Sequence, residues 1–169
     1  MSELKRYKTK PLECWQKAKE LRIQHYRDVW EAKDKGKILF TGGEYSPLPL
    51  AAGLGDFEFL GGEPYGATIG TDPVLSVQCA EATENKGYAR DMCSYMRLYW
   101  GSMFLDRSPF GKFIRPDLCL TWHLCESHGK WYQTVSEHFG IPTFPIDIPL
   151  RQDGGKRDSH IRYLTAQLQ

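Results

Sequence analysis

The chain has 169 residues, of which 41% are hydrophobic and 25% charged, a balance that suits one domain with a buried core. Its 22 basic and 21 acidic side chains leave a net charge of +1. No surplus of Lys and Arg is left to neutralise a nucleic-acid backbone, so bulk-charge nucleic-acid binding is excluded.

At the start, residues 1–8 carry charge and lack the apolar stretch of a signal peptide. No later run approaches the ~20 apolar residues that a membrane-spanning helix needs. A cytoplasmic chain with no membrane partner is expected. Residues 11–35 read as an amphipathic helix: Pro11 suits its start, and Trp15, Ala18, Leu21 or Arg22, His25, Val29 and Trp30 recur at helical steps. Gly36 is its C-terminal cap. This helical arm, residues 1–36, precedes an α/β domain at 37–169.

Within the domain, Lys37–Thr41 reads as a buried strand closed by Gly42 and Gly43, followed by a helical turn at Ser46–Ala52. Phe57–Leu60 is a second strand closed by Gly61 and Gly62. Residues 63–72 read as a loop, and 73–86 as a helix opened by Asp72 and Pro73. Asp91–Leu105 is a helix carrying Met92, Tyr95 or Met96, Tyr99 and Met103 on one side. Leu118–Trp122 is a compact strand, Glu126–Phe139 a helix ended by Gly140, and Ile141–Ile148 a strand punctuated by proline. Arg151–Arg157 reads as a linker and Asp158–Leu168 as the last helix. The order β-α-β-α-α-β-α-β-α predicts a doubly wound, mostly parallel sheet.

Ligands collect at the carboxyl ends of such strands. Three segments fall there: Thr41–Ser46, Gly61–Glu63 and Thr121–His128. The glycine pairs permit close backbone approach, but the G-x-G-x-x-G spacing and a Walker lysine are missing, so a nucleotide is not expected. Cys125 and Cys93 each fall at a predicted helix start, where backbone N–H groups and the helix dipole favour a thiolate. They are 32 residues apart, close to one strand-helix repeat, so convergence above the sheet is geometrically reasonable. Soft ligands there suit zinc or an iron–sulfur cluster. No C-x-x-C or H-x-x-x-H pair supports zinc specifically, and Cys14, Cys79 and Cys119 read as packing residues. His138 and His160 read as surface residues. Tyr65, Tyr95, Trp100 and Trp122 have core packing as their default role, with an aromatic acyl pocket as the alternative.

Several stretches together carry a family resemblance. They are Pro11–Trp15, Gly53-Leu54-Gly55-Asp56, Gly62–Ala67, Ala89–Arg97, Tyr99–Met103, His123-Leu124-Cys125-Glu126-Ser127-His128, Lys130–Tyr132 and Ile141-Pro142. The chain resembles the 2-hydroxyacyl-CoA dehydratase and benzoyl-CoA reductase family, and within it most resembles the B-type subunits of ATP-dependent benzoyl-CoA reductases. The resemblance implies Rossmann-like domains, two per subunit, and a [4Fe-4S] cluster held by three cysteines. Two of those positions correspond to Cys93 and Cys125; the third lies in a second α/β domain that this sequence lacks, so a fragment or shortened version, inactive in isolation, is expected.

The implied partners are an acyl-CoA substrate, a second homologous iron–sulfur subunit and ATP-hydrolysing electron-activating subunits; ATP is used by the partner and not by this chain. The implied chemistry is delivery of low-potential electrons to an aromatic acyl-CoA thioester. By the same resemblance Ser46 and Glu63 face the substrate, and His123 and His128 donate protons or partner the cluster sulfurs. The alternatives are a 2-hydroxyacyl-CoA dehydratase subunit, or a non-catalytic assembly piece without a cluster. A zinc-binding domain is a third.

Overall fold

The computed structural model describes residues 10–43, 55–149 and 157–169. Helix α1 spans Trp15–Glu31 and leads through Gly36, whose φ of 71° suits glycine, into β1 at Ile38–Gly42. Strand β2 (Phe57–Gly61) runs directly into α2 (Gly62–Gly70), followed by α3 (Pro73–Asn85) and α4 (Ser94–Leu105). Then come β3 (Leu118–His123), α5 (Glu126–Phe139), β4 (Thr143–Asp147) and α6 (Arg157–Gln167). The strands lie in the order β2-β1-β3-β4 and every pairing is parallel. With six helices among the described residues, this is the Rossmann-like, doubly wound α/β fold expected from the element order.

Local chemistry sets the boundaries. The Asp72 carboxylate accepts from the backbone N–H groups of Val74 and Leu75, both at 3.0 Å, and Pro73 occupies the first turn, so α3 begins there. Gly140 closes α5 with a φ of 64°. Asp117 ties the starts of β1 and β3 together: its Oδ2 accepts from Leu39 N at 2.9 Å, and its own N–H donates to Leu39 O at 2.7 Å.

One expectation needs correction. Residues 63–72 are not a loop, because α2 occupies Gly62–Gly70. Pro64 and three glycines lower its helix propensity, but the helix buries Tyr65 and Ile69, and tertiary packing overrides propensity. Gly66 is required: a Cβ there would sit 2.7 Å from the Tyr95 carbonyl oxygen on α4.

The main core lies on the sheet face that carries Leu39, Leu60 and Cys119, where Tyr65, Tyr99, Trp100, Trp131, Tyr132 and Val135 close over it. Phe40 and Phe59 form a smaller cluster on the alternate face, with Phe57, Leu118 and Leu120 against it. The C-terminal half of α1 belongs to the main core through Tyr26, Val29 and Ala32. The Tyr26 hydroxyl and Thr68 Oγ1 share a hydrogen bond of 3.0 Å, and Trp30 Nε1 donates to Lys112 O at 2.9 Å. Trp15 and Leu21, assigned to the apolar face of this helix from their spacing, are instead 66% and 58% exposed. The turn expected at Ser46–Ala52, Gly53 and Leu54 of the family motif, and nearly all of the linker at Arg151–Arg157 lie outside the described residues. Among the described residues no helix is long and apolar enough to cross a membrane.

Candidate functional site

The chain passes from β1 to β2 on one side and then to β3 on the other, so the strand order reverses between β1 and β3. The carboxyl ends of these strands are where an open parallel sheet gathers ligands. Glycines clear the space. A Cβ on Gly62 would lie 2.2 Å from the Tyr132 hydroxyl oxygen and 2.9 Å from the Trp131 ring, and one on Gly43 would lie 3.2 Å from His128 Cε1. The early turns of α5 can therefore close onto the ends of β1 and β2.

That closure brings His128 against Glu63. His128 stands in the first turn of α5, Glu63 in the first turn of α2, and Nε2 of the one is hydrogen-bonded to Oε1 of the other. The two side chains are only 11% and 16% exposed. Their remaining polar atoms, His128 Nδ1 and Glu63 Oε2, are buried and have no hydrogen-bond partner among the described residues. Leaving such atoms unpaired is costly, about 1–3 kcal/mol each. The pair can take a hydrogen bond from a hydroxyl or a water that reaches it, and can share a proton between the two residues. Sequence reasoning named both residues; the contact between them, 65 positions apart, had no local signal.

Cys93 and Cys125 occupy the N-cap positions of α4 and α5, at the helix starts where the sequence placed them, and neither side chain caps its helix with a hydrogen bond. Cys125 is exposed and Cys93 half-buried. The indole N–H of Trp100 on α4 donates to the carbonyl of Trp131 on α5 at 3.2 Å. Cys93 precedes Trp100 by seven residues and Cys125 precedes Trp131 by six. At 1.5 Å per residue, each thiol stands about 10 Å along its helix from this contact. Thiols at the positive ends of helices are soft donors of the kind that could hold a metal or an iron–sulfur cluster. No group of three or more His, Cys, Asp or Glu side chains is placed to hold a metal ion among the described residues, so a further ligand is not supplied by them.

His123 ends β3, and its Nδ1 lies 3.3 Å from Oδ1 of Asp147, the residue paired with it in register at the end of β4. A cavity of about 220 Å³ opens here, lined by His123, Leu124, Cys125, Glu126, Asp147 and Ile148. Asp147 was not singled out from the sequence. Its carboxyl is held below the ordinary carboxylate value, first by the hydrogen bond from Tyr163 and also by His123.

The remaining expected residues divide clearly. Ser46 lies outside the described residues. Tyr65 and Trp100 are fully buried in the core, which leaves them packing rather than lining an acyl pocket; Tyr95 is exposed and Trp122 half-buried. Cys79 and Cys119 are buried, with thiols pushed up by burial to about 11 and about 12. Cys14 is exposed. His138 is exposed as expected, and His160 is half-buried.

Residues 57–169 match the family described as 2-hydroxyglutaryl-CoA dehydratase, D-component. The chain is 26% identical over 151 residues to the (R)-2-hydroxyisocaproyl-CoA dehydratase alpha subunit of Clostridioides difficile, covering 89% of this chain and 36% of that one. It is 28% identical over 138 residues to the lactoyl-CoA dehydratase subunit alpha of Anaerotignum propionicum, covering 73% of this chain and 32% of that one. The chain thus spans about a third of the length of the curated relatives it matches.

Proposed function

We propose, because this chain belongs to the 2-hydroxyglutaryl-CoA dehydratase D-component family, that it forms part of an alpha-type subunit of an enzyme removing water from a 2-hydroxyacyl-CoA thioester. The observation that carries this reading is the family match across α2–α6, with Cys93 and Cys125 at the N-caps of α4 and α5 inside it. Both relatives are alpha subunits of dehydratases named for 2-hydroxyacyl-CoA thioesters, which favours this branch over the aromatic reductase branch of the sequence resemblance. The word alpha in their names supports partner subunits, and the second homologous subunit and the ATP-hydrolysing activator belong to the same proposal.

Cys93 and Cys125 would hold two corners of a [4Fe-4S] cluster, with the further ligand coming from outside the described residues. When bound, such a cluster supplies one-electron chemistry at low potential. The chain's own residues do the rest. The glycines at the ends of β1 and β2 let a thioester approach the backbone closely. Glu63 and His128 act as an acid–base pair: with the imidazole protonated at both nitrogens and Nε2–H on the Glu63 carboxylate, Nδ1–H gives its proton to the substrate hydroxyl as the C–O bond breaks, so that water leaves and the imidazole is left neutral. The packed aromatic wall of Trp131 and Tyr132 behind them keeps bulk water from the reacting carbon.

The test is the assembly isolated anaerobically through this chain and offered (R)-2-hydroxyacyl-CoA and benzoyl-CoA in turn. Loss of the hydroxyl from the first, with no change in the second, supports the dehydratase reading. Ring reduction of benzoyl-CoA, or turnover of neither thioester, contradicts it.

A further inference from the structure

We infer that Asp147 is a positioning residue for His123, holding its imidazole in the tautomer protonated at Nδ1, so that Nε2 meets a ligand as an acceptor. What the imidazole serves rests on the proposed function; its tautomer does not.

The geometry starts from Asp147, which α6 fixes at three points. The Tyr163 hydroxyl donates to Oδ2 at 2.7 Å, Gln167 Nε2 donates to the Asp147 carbonyl at 3.0 Å, and Asp147 N donates to Gln167 Oε1 at 2.7 Å. No residue of α6 is buried, so these polar contacts carry much of its attachment to the sheet. They aim the other carboxylate oxygen, Oδ1, at His123 Nδ1. An ionised carboxylate only accepts hydrogen bonds, so the hydrogen in this contact lies on Nδ1. With one hydrogen on the neutral ring, Nε2 is left with a lone pair.

A second carboxylate competes for the ring. Glu126 Oε2 is 3.9 Å from His123 Nε2, beyond hydrogen-bond length, and its side chain is fully exposed. Asp147 is nearer and anchored, so it sets the tautomer. On the α5 side a Cβ at Gly129 would meet Nε2 in ordinary van der Waals contact, at 3.7 Å.

Nε2, which stands beside Glu126 and Gly129, is therefore a hydrogen-bond acceptor at the ends of β3 and α5. It suits a ligand group bearing O–H or N–H, such as a hydroxyl or amide of an acyl-CoA thioester.

The experiment is long-range ¹H–¹⁵N NMR of the full chain labelled at histidine, recorded at pH 8, with His123 assigned by its absence in His123→Gln. The expected wild-type pattern is that of the Nδ1–H tautomer. It is lost in Asp147→Ala, where the Nε2–H form takes over, and kept in Glu126→Gln. A wild-type His123 already in the Nε2–H form overturns the inference, and that result needs no variant to fold. An unchanged pattern in a folded Asp147→Ala protein overturns it equally. Iron in the anaerobic assembly is read separately: its absence contradicts the proposed cluster and leaves the tautomer result standing.

Discussion

Trp100 donates its indole N–H to the backbone carbonyl of Trp131 at 3.2 Å, and both rings are fully buried. This bond ties α4 to α5, the two helices whose N-caps are Cys93 and Cys125. Trp100→Phe removes the bond, worth about 1 kcal/mol, and leaves a void costing about 1–2 kcal/mol more. Urea unfolding should show a lower midpoint with an unchanged slope. An unaltered midpoint would mean that the contact does not hold the helices together.

Glycines at packed and open positions should respond oppositely. A Cβ on Gly101 would lie 1.9 Å from the Cys79 carbonyl oxygen, so Gly101→Ala must drive α3 away from α4. We expect a loss of at least ~3 kcal/mol, or failure to fold. Gly70→Ala meets only Leu98 Cδ1 at 3.6 Å, an ordinary contact at the end of α2, and should change stability by under ~1 kcal/mol. Thermal unfolding of the two variants side by side checks this; equal losses would refute the packing account.

The five cysteines should separate by reactivity. Burial holds Cys79 and Cys119 as thiols, with values pushed up to about 11 and about 12, so both remain protonated at pH 8. Cys14 and Cys125 are exposed and Cys93 half-buried. Maleimide labelling of the folded, metal-free chain at pH 8 should modify these three and spare the other two until denaturant is added. Rapid native labelling of Cys79 or Cys119, mapped by mass spectrometry, would contradict the core assignment.

Acid should loosen the corner between α3 and α4. The Arg90 guanidinium holds the Glu84 carboxyl below its ordinary value of 4.5, with Arg97 adding to the effect. Both arginines bond it: Arg90 from Nε at 3.2 Å and from a terminal nitrogen at 2.9 Å, Arg97 from a terminal nitrogen. A depressed carboxyl contributes stability that is present above pH 4.5 and lost as pH falls through its lower folded-state value. The contribution is small because Arg90 is largely exposed. Glu84→Gln should therefore flatten part of the decline in urea midpoint between pH 5 and pH 3. A variant that declines as steeply as the wild type would contradict this.

Much of the frame is legible in the sequence because its signals are local. Asp72-Pro73 marks the start of α3, Gly140 the end of α5, and short apolar runs closed by glycine mark β1 and β2. Placing Cys93 and Cys125 at helix starts needed only those boundaries. Helix α2 was not legible, since the glycines that make its sequence read as loop are there for close packing, Gly66 against the Tyr95 backbone and Gly62 against Trp131 and Tyr132. The apolar spacing of α1 likewise could not tell that Tyr26 and Val29 face the core while Trp15 does not. The contact of Glu63 with His128, and the Tyr163–Asp147–His123 chain, depend on strand order and register. No neighbouring residue in the sequence announces either of them.

Iron content measures most directly whether Cys93 and Cys125 together grip iron, as proposed. The assembly carried by this chain would be isolated anaerobically as wild type, Cys93→Ala, Cys125→Ala and Cys14→Ala, and its bound iron and visible absorption recorded. The account predicts that each of the first two substitutions strips iron and broad absorption, while Cys14→Ala keeps both. Iron retained in full without either Cys93 or Cys125, or no iron in the wild type, would contradict it.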